Sequence, residues 1–342
     1  ARRGRRVIRP FGLYDILTVR HLQRKSVPLD LRRQVLYRDA PARAALIGYL
    51  TQHRLGPLTW IYSGADGAGD GGAFAQVWPI ADRPDWNLSR LAPALDENEG
   101  AEAIWREMLR GLVRKAADSG IYRIVTRVEE GASAEYVLRR SGFVATTRQE
   151  LFMLSAAPGP VPCPKHLVPA APRHDWALGE LYRQVVPRFV QEAEASFCHA
   201  CASPRRHSLG GEAVQEYVWQ DEERVNAYLA VSASARGAWV EFLVRPEYRA
   251  DILPHIRYVI GTLRSPERPI YCPVPDYDVG VGWLLRTLGF QTVGRQAHMV
   301  MHVAARVPVR RPLLVTGLEG SVDIRTPVGT AHGVYSGREH CA

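Results

Sequence analysis

Lysine is nearly missing from this chain of 342 residues: Lys25, Lys115 and Lys165 are the only three among 44 basic residues. The net charge of +9 is therefore carried almost wholly by arginine. Long apolar runs are missing too. No stretch approaches the ~20 residues that cross a bilayer as a helix, so no helical membrane span is expected. No secretory hydrophobic region opens the chain either, and a cytoplasmic location is expected. Cysteine is scarce and odd in number, at five. Cys198 and Cys201 form one closely spaced pair, with His199 between them and His207 beyond, and no second pair completes a tetrahedral zinc site. No resident metal is expected. The glycine-rich stretch 64–72 lacks the spacing and the Lys or Ser/Thr of a phosphate loop, which leaves it as a hairpin connection. No Ser/His/Asp or Cys/His nucleophile arrangement stands out. His298 and His302 lie four apart on one face of a predicted strand, as surface residues without a third ligand.

What the chain does have is an ordinary globular balance, 46% hydrophobic and 23% charged, and a message written twice. Tyr136-Val137-Leu138-Arg139-Arg140-Ser141-Gly142-Phe143 returns 147 residues later as Trp283-Leu284-Leu285-Arg286-Thr287-Leu288-Gly289-Phe290. Arg148-Gln149 and Arg295-Gln296 follow at matching offsets. Each copy reads as a short helix stopped by Gly, then Phe opening a strand, because Gly allows the left-handed turn that ends a helix. A match of this period marks a duplicated unit. Residues 1–155 and 165–307 are read as the two halves, with the proline-rich 156–164 as linker and 308–342 as an extension. Each half alternates strands with helices. The clearest helix is 99–119, whose Ile104, Met108, Leu109, Leu112, Val113 and Ala116 form one apolar stripe. The arginines are spread along the chain, with the densest cluster at Arg2, Arg3, Arg5 and Arg6. That arm is a candidate polyanion contact, and the extension 308–342 a candidate docking segment for a protein partner.

The order of elements, the two helix-Gly-Phe-strand segments, and the run Val240-Glu241-Phe242-Leu243-Val244-Arg245-Pro246-Glu247-Tyr248-Arg249 resemble the GNAT (Gcn5-related N-acetyltransferase) superfamily. The resemblance covers about 6–155 and 165–305. It implies an α/β (α+β) fold of two consecutive GNAT-like domains, each a mixed, mostly antiparallel sheet flanked by helices. It also implies acetyl-CoA or another acyl-CoA as cofactor. In that superfamily a glycine-bearing loop after the fourth strand presents backbone N–H groups and a helix N-terminus to the pyrophosphate.

Carried onto these residues, the loop of the first half is Asp96-Glu97-Asn98-Glu99-Gly100-Ala101-Glu102-Ala103. Gly100, Ala101 and Ala103 are the candidate cofactor-binding residues, among several acids. In the second half Ile252 and Pro254 stand where the glycines belong. The resemblance also implies a general-acid Tyr four residues before the Gly, where Leu138 and Leu285 stand instead; Tyr136 points to the opposite helix face. Glu241 is the candidate catalytic base, with an ordinary solvent-facing strand carboxylate as the other reading. Two functions follow. One is an acyl-CoA-dependent N-acyltransferase with its active site in the N-terminal half. The other is a catalytically inactive tandem scaffold or binding subunit. A nucleic-acid role is supported by charge alone.

Overall fold

The structure is a computed structural model that describes residues 7–37, 40–63, 72–80, 83–96, 100–194, 213–221, 224–263 and 267–303. The arginine arm, the extension 308–342 and Cys198, Cys201, His199 and His207 lie outside the described residues, as do Glu97, Asn98 and Glu99. The first half holds β1 (Val7–Pro10), α1 (Ile16–Leu22), β2 (Val27–Pro28), α2 (Leu31–Leu36), α3 (Pro41–Leu50), β3 (Leu58–Ser63), β4 (Ala73–Pro79), β5 (Asp85–Ala92), α4 (Ala101–Asp118), β6 (Arg123–Glu129), α5 (Ser133–Arg140) and β7 (Val144–Leu154). The second holds β8 (Leu167–Pro169), α6 (Asp175–Val185), α7 (Arg188–Glu194), β9 (Ala213–Asp221), β10 (Arg224–Ala233), β11 (Ala238–Val244), α8 (Leu253–Gly261), β12 (Ile270–Pro275), α9 (Val281–Thr287) and β13 (Gln291–His302).

The repeat behaves as its residues imply. Gly142 and Gly289 take φ of +99° and +92° and end α5 and α9, where an L side chain would be strained. Phe143 and Phe290, one residue on, are both buried. Residues 175–194 form two helices, α6 and α7, rather than one, broken at Val186-Pro187 because proline cannot continue the hydrogen-bond ladder of α6.

All strands join one sheet in the order β1-β3-β4-β5-β6-β13-β7-β12-β11-β10-β9-β8, with β2 added against β5. The centre is an exchange. The second half's last strand, β13, pairs with β6 of the first half, and the first half's last strand, β7, pairs with β12 of the second. The two exchanged strands also pair with each other, antiparallel, with Gln149 opposite Gln296. These are equivalent positions of the repeat, so a pseudo-twofold axis passes between them. The Gln296 side-chain amide donates to the Gln149 side-chain carbonyl at 2.8 Å.

One sheet face is dry. Trp105, Met108, Leu109 and Leu112 of α4 pack there on Ile124, Val128, Ala297 and Met299. Ile256 and Val259 of α8 and Leu285 of α9 do the same on Phe152, Val240, Cys272 and Val274. The opposite face carries α1 to α3 and α6 to α7. There α2, a first-half helix, packs on the second half: Leu31, Val35 and Leu36 meet Trp239, Leu151 and Tyr271.

Because each half lacks a strand that the other supplies, residues 1–155 made alone should expose the unpaired edges of β6 and β7. We expect this fragment to be unfolded or aggregated by circular dichroism and size-exclusion chromatography. Coexpression with 156–342 should restore a soluble one-to-one complex, and a monomeric, cooperatively folded 1–155 would contradict the exchange.

Candidate functional site

Two V-shaped notches open in the sheet where parallel neighbours diverge. In the first half β5 and β6 pair at Asp85/Arg123, Trp86/Ile124 and Asn87/Val125, and then separate. In the second half β11 and β12 pair at Ala238/Ile270 and Trp239/Tyr271 and then separate.

The first notch is filled by the chain itself. Val27 and Pro28 pair antiparallel with Leu91 and Arg90. The Leu29 N–H donates to the Ser89 carbonyl at 2.8 Å, and the Leu29 carbonyl accepts from the Arg127 N–H at 3.1 Å. The Ala94 N–H donates to the Lys25 carbonyl at 2.6 Å. Leu29 is 1% exposed. At roughly 1 kcal/mol per hydrogen bond and 1.5–3 kcal/mol for the buried leucine, a ligand seeking this strand edge must overcome several kcal/mol.

The second notch has no such strap. Past Trp239 the edge of β11 that faces β12 pairs with no strand among the described residues. Its mouth is spanned instead by an ion pair: the Arg249 guanidinium donates to Asp278 at 2.8 Å. Burial raises the Asp278 carboxyl to about 6, despite Arg249 pulling the other way. Arg249 belongs to a 3-10 run, Pro246–Ile252, that continues directly into α8. The expected glycine loop is thereby replaced by helix, with Ile252 fully buried.

Between the notches, on the face carrying α2 and α7, lies a polar cluster drawn from both halves. Arg127, His298 and Thr147 sit opposite one another on β6, β13 and β7. Glu194 of α7 lies 2.5 Å from His298 Nδ1, and its backbone carbonyl accepts from Arg83. Burial pushes the Glu194 carboxyl up, but His298, Arg127 and Arg83 together hold it below the ordinary glutamate value. His298 is thus a buried hydrogen-bond partner of Glu194 rather than the expected strand-surface histidine. The Thr147 hydroxyl donates to Asp276 at 3.0 Å. Tyr182 and Tyr277, raised by burial and by Glu194, keep their protons.

Glu241 projects from β11 on this same face. Its side chain keeps 38% of its area open, yet it is ringed by groups from several elements. Arg32 of α2 approaches at 3.4 Å. Desolvation pushes its pKa up and Glu194 adds to that, but Arg32, Arg127 and the neighbouring Trp239 hold it low. The carboxylate is therefore ionised at neutral pH.

The other candidates do not share this place. Gly100 caps α4 and is exposed, Ala101 is buried, and Ala103 points outward. They lie beside β5, five strand spacings from β11, on the order of 24 Å away. They and Glu241 cannot form one site. A cleft of about 480 Å³ does open nearby, lined by Asp96, Glu102, Ser133 and Tyr136 rather than by those three. Its described charges are acidic, and Arg106 answers Glu102 at 3.5 Å. Tyr136 is half-exposed and accepts from Arg140 at 2.7 Å, while Leu138 and Leu285 are buried and supply no acid. The sequence reading missed Arg32, Arg127, Glu194, Arg249 and Asp278. The available signal was the second-half loop itself, where Arg245 and Arg249 stand against the acids of the first-half loop.

No family model matches the sequence, and no curated protein matches it. Solved structures do. A GCN5-related N-acetyltransferase from Sphaerobacter thermophilus is similar with a TM-score of 0.50 at 13% identity, over 88% of this chain and 97% of that one. A tandem GNAT protein from the clavulanic acid biosynthesis pathway is similar with a TM-score of 0.49 at 14% identity, over 89% and 100%. At such identities the likeness concerns the fold: this chain has the GNAT fold, laid down twice.

Removing the His298 imidazole should leave a mostly buried carboxylate without its nearest partner. His298→Ala is expected to cost roughly 1.5–3 kcal/mol in urea denaturation at pH 7. The folded pKa of Glu194 lies below its ordinary value of 4.5. Its contribution is therefore complete above that value and is lost as pH falls through the folded one. The gap between wild type and variant should narrow in acid, and a pH-independent gap would show that the contact with the Glu194 carboxylate contributes nothing.

Proposed function

We propose that this protein is an acyl-CoA-dependent N-acyltransferase that works from its second half. The observation that carries the proposal is Glu241: an ionised, solvent-reachable carboxylate beside the one described notch that no strand of the chain fills. The fold supports the reaction class. The earlier expectation of an active site in the first half is set aside, because there the strap Val27–Leu29 takes the strand edge and the mouth is acidic.

In this reading the free edge of β11 receives the amide-bearing arm of the acyl-CoA. Arg249 meets its diphosphate by side chain, where the superfamily loop uses backbone N–H groups. The bound acyl-CoA supplies an activated thioester. Glu241 then stabilises the positive charge that grows on the acceptor nitrogen as it attacks, and takes up its proton directly or through water. A carboxylate held this low is a weak base, so charge stabilisation is its larger contribution. The first half serves as structural partner.

The replacement of the glycine loop by the helical run Pro246–Ile252 favours a second reading, a non-catalytic binding subunit. In that case the extension 308–342 and the arm Arg2, Arg3, Arg5 and Arg6 would make the contacts that matter.

Calorimetric titration with acetyl-CoA and CoA separates the two. We expect micromolar binding, weakened at least tenfold by Arg249→Ala and unchanged by Gly100→Pro. Glu241→Gln should bind normally and lose about 10²–10⁴-fold in transfer to an amine. The absence of both heat and thermal stabilisation with any acyl-CoA would leave the binding-subunit reading.

A further inference from the structure

We infer that Arg32, carried by the first half, is the positioning residue for Glu241 in the second half, and that the strap filling the first notch holds it there. The inference rests on Glu241 being the group at work. Arg32 Nη1 lies 3.4 Å from Glu241 Oε2, and Nη2 donates to the Ser232 hydroxyl at 2.8 Å. Ser232 is buried on β10, opposite Trp239. The guanidinium is therefore fixed by a neutral anchor on one side while it faces the carboxylate on the other.

The helix that carries Arg32 is short. Six residues in water have little intrinsic stability, so its place must be set from outside. Three contacts do that. Leu31, Val35 and Leu36 pack on Trp239, Leu151 and Tyr271 across the boundary between the halves. Asp30 caps the helix, its carboxylate accepting from the Arg33 N–H at 3.1 Å. The other oxygen of Asp30 accepts from the Asn87 side chain at 2.6 Å, which pins the cap to β5. Directly before the cap runs Val27-Pro28-Leu29, zipped into the first notch. One segment, 25–36, thus closes the notch of one half and delivers a charge to the other.

The remaining groups near Glu241 do not replace Arg32. Arg127 of β6 is a second cation in reach, Glu194 of α7 opposes it, Cys272 of β12 is buried and keeps its proton, and the Trp239 indole N–H lies alongside. The Trp239 N–H has no well-aligned acceptor of its own. Arg32 alone among the described residues makes an ion pair with the carboxylate. Holding a half-open carboxylate in one orientation is what a reacting amine requires, since a misplacement of about 1 Å can cost 100-fold.

The test is a ¹³C-carboxylate NMR titration of the full chain labelled at glutamate, with Glu241 assigned by its loss in Glu241→Gln. Arg32→Gln should move the Glu241 midpoint up, and Arg32→Lys should restore most of the difference. Asp30→Ala, which touches neither residue, should move it in the same direction by loosening α2. In kcat/KM against pH the acidic limb should follow the midpoint, with KM for acyl-CoA unchanged. Circular dichroism confirms that each variant is folded. A Glu241 midpoint in Arg32→Gln equal to wild type overturns the inference, whatever the activity. A midpoint that shifts while no form, wild type included, transfers an acyl group sinks the N-acyltransferase reading and leaves Arg32 as the residue that orients Glu241.

Discussion

Two long strands, β7 and β13, lie side by side at the middle of the sheet with the side-chain amides of Gln149 and Gln296 joined across their pseudo-twofold axis. Each belongs by sequence to one half and completes the ladder of the other. The consequence is geometric. With the exchange in place, the two inner faces become one continuous surface, and the helices that follow each half's early strands cross the boundary. First-half α2 lands on β11, and second-half α7 brings Glu194 to His298 and Arg127. A pair of separately closed domains would leave those faces apart, and neither contact would form.

Duplication made two notches, and the chain has treated them differently. In one, four residues of its own backbone satisfy the strand edge, at the usual net of about 1 kcal/mol per hydrogen bond plus the burial of Leu29. In the other, an ion pair between side chains bridges the mouth. These are not equivalent closures. Backbone pairing with a buried leucine resists a ligand by several kcal/mol. The side-chain closure joins a partly exposed arginine to a fully buried carboxyl raised to about 6, so a phosphate that drew Arg249 away would leave Asp278 to be neutralised by a proton. The half that kept its loop glycine has the strand edge of its notch taken by its own backbone, and the half without loop glycines leaves the edge of β11 unpaired among the described residues.

The fold was legible where it depends on local rules. Gly142 and Gly289 needed a left-handed backbone and took it, and the apolar stripe of α4 was buried as its spacing implied. The exchange of β7 and β13 was not legible, because a strand's pattern of inward and outward residues is the same whichever half it pairs with. The strap was hidden for another reason. Two paired residues, Val27 and Pro28, carry no periodicity, and proline argues against a strand unless it sits at an edge or end. The site shows the same split. Glu241 could be singled out from its strand, but its neighbours come from positions 32, 127 and 194, and no spacing rule connects them. Gly100, Ala101 and Ala103 were singled out by residue size, and the cleft beside them carries acidic side chains.

Charge also explains why the polar cluster sits where it does. A carboxylate as enclosed as that of Glu194 is costly unless paired, and the chain answers it with His298, Arg127 and Arg83, one from each of three different strands or turns. Glu241 shares Arg127 with Glu194 and adds Arg32. The two carboxylates are thus coupled through one guanidinium that stands between the halves. The backbone of Arg127 is in turn joined to the strap, its N–H donating to the Leu29 carbonyl. The filled notch and the half-open carboxylate are thus joined by contacts through segment 25–36 and β6.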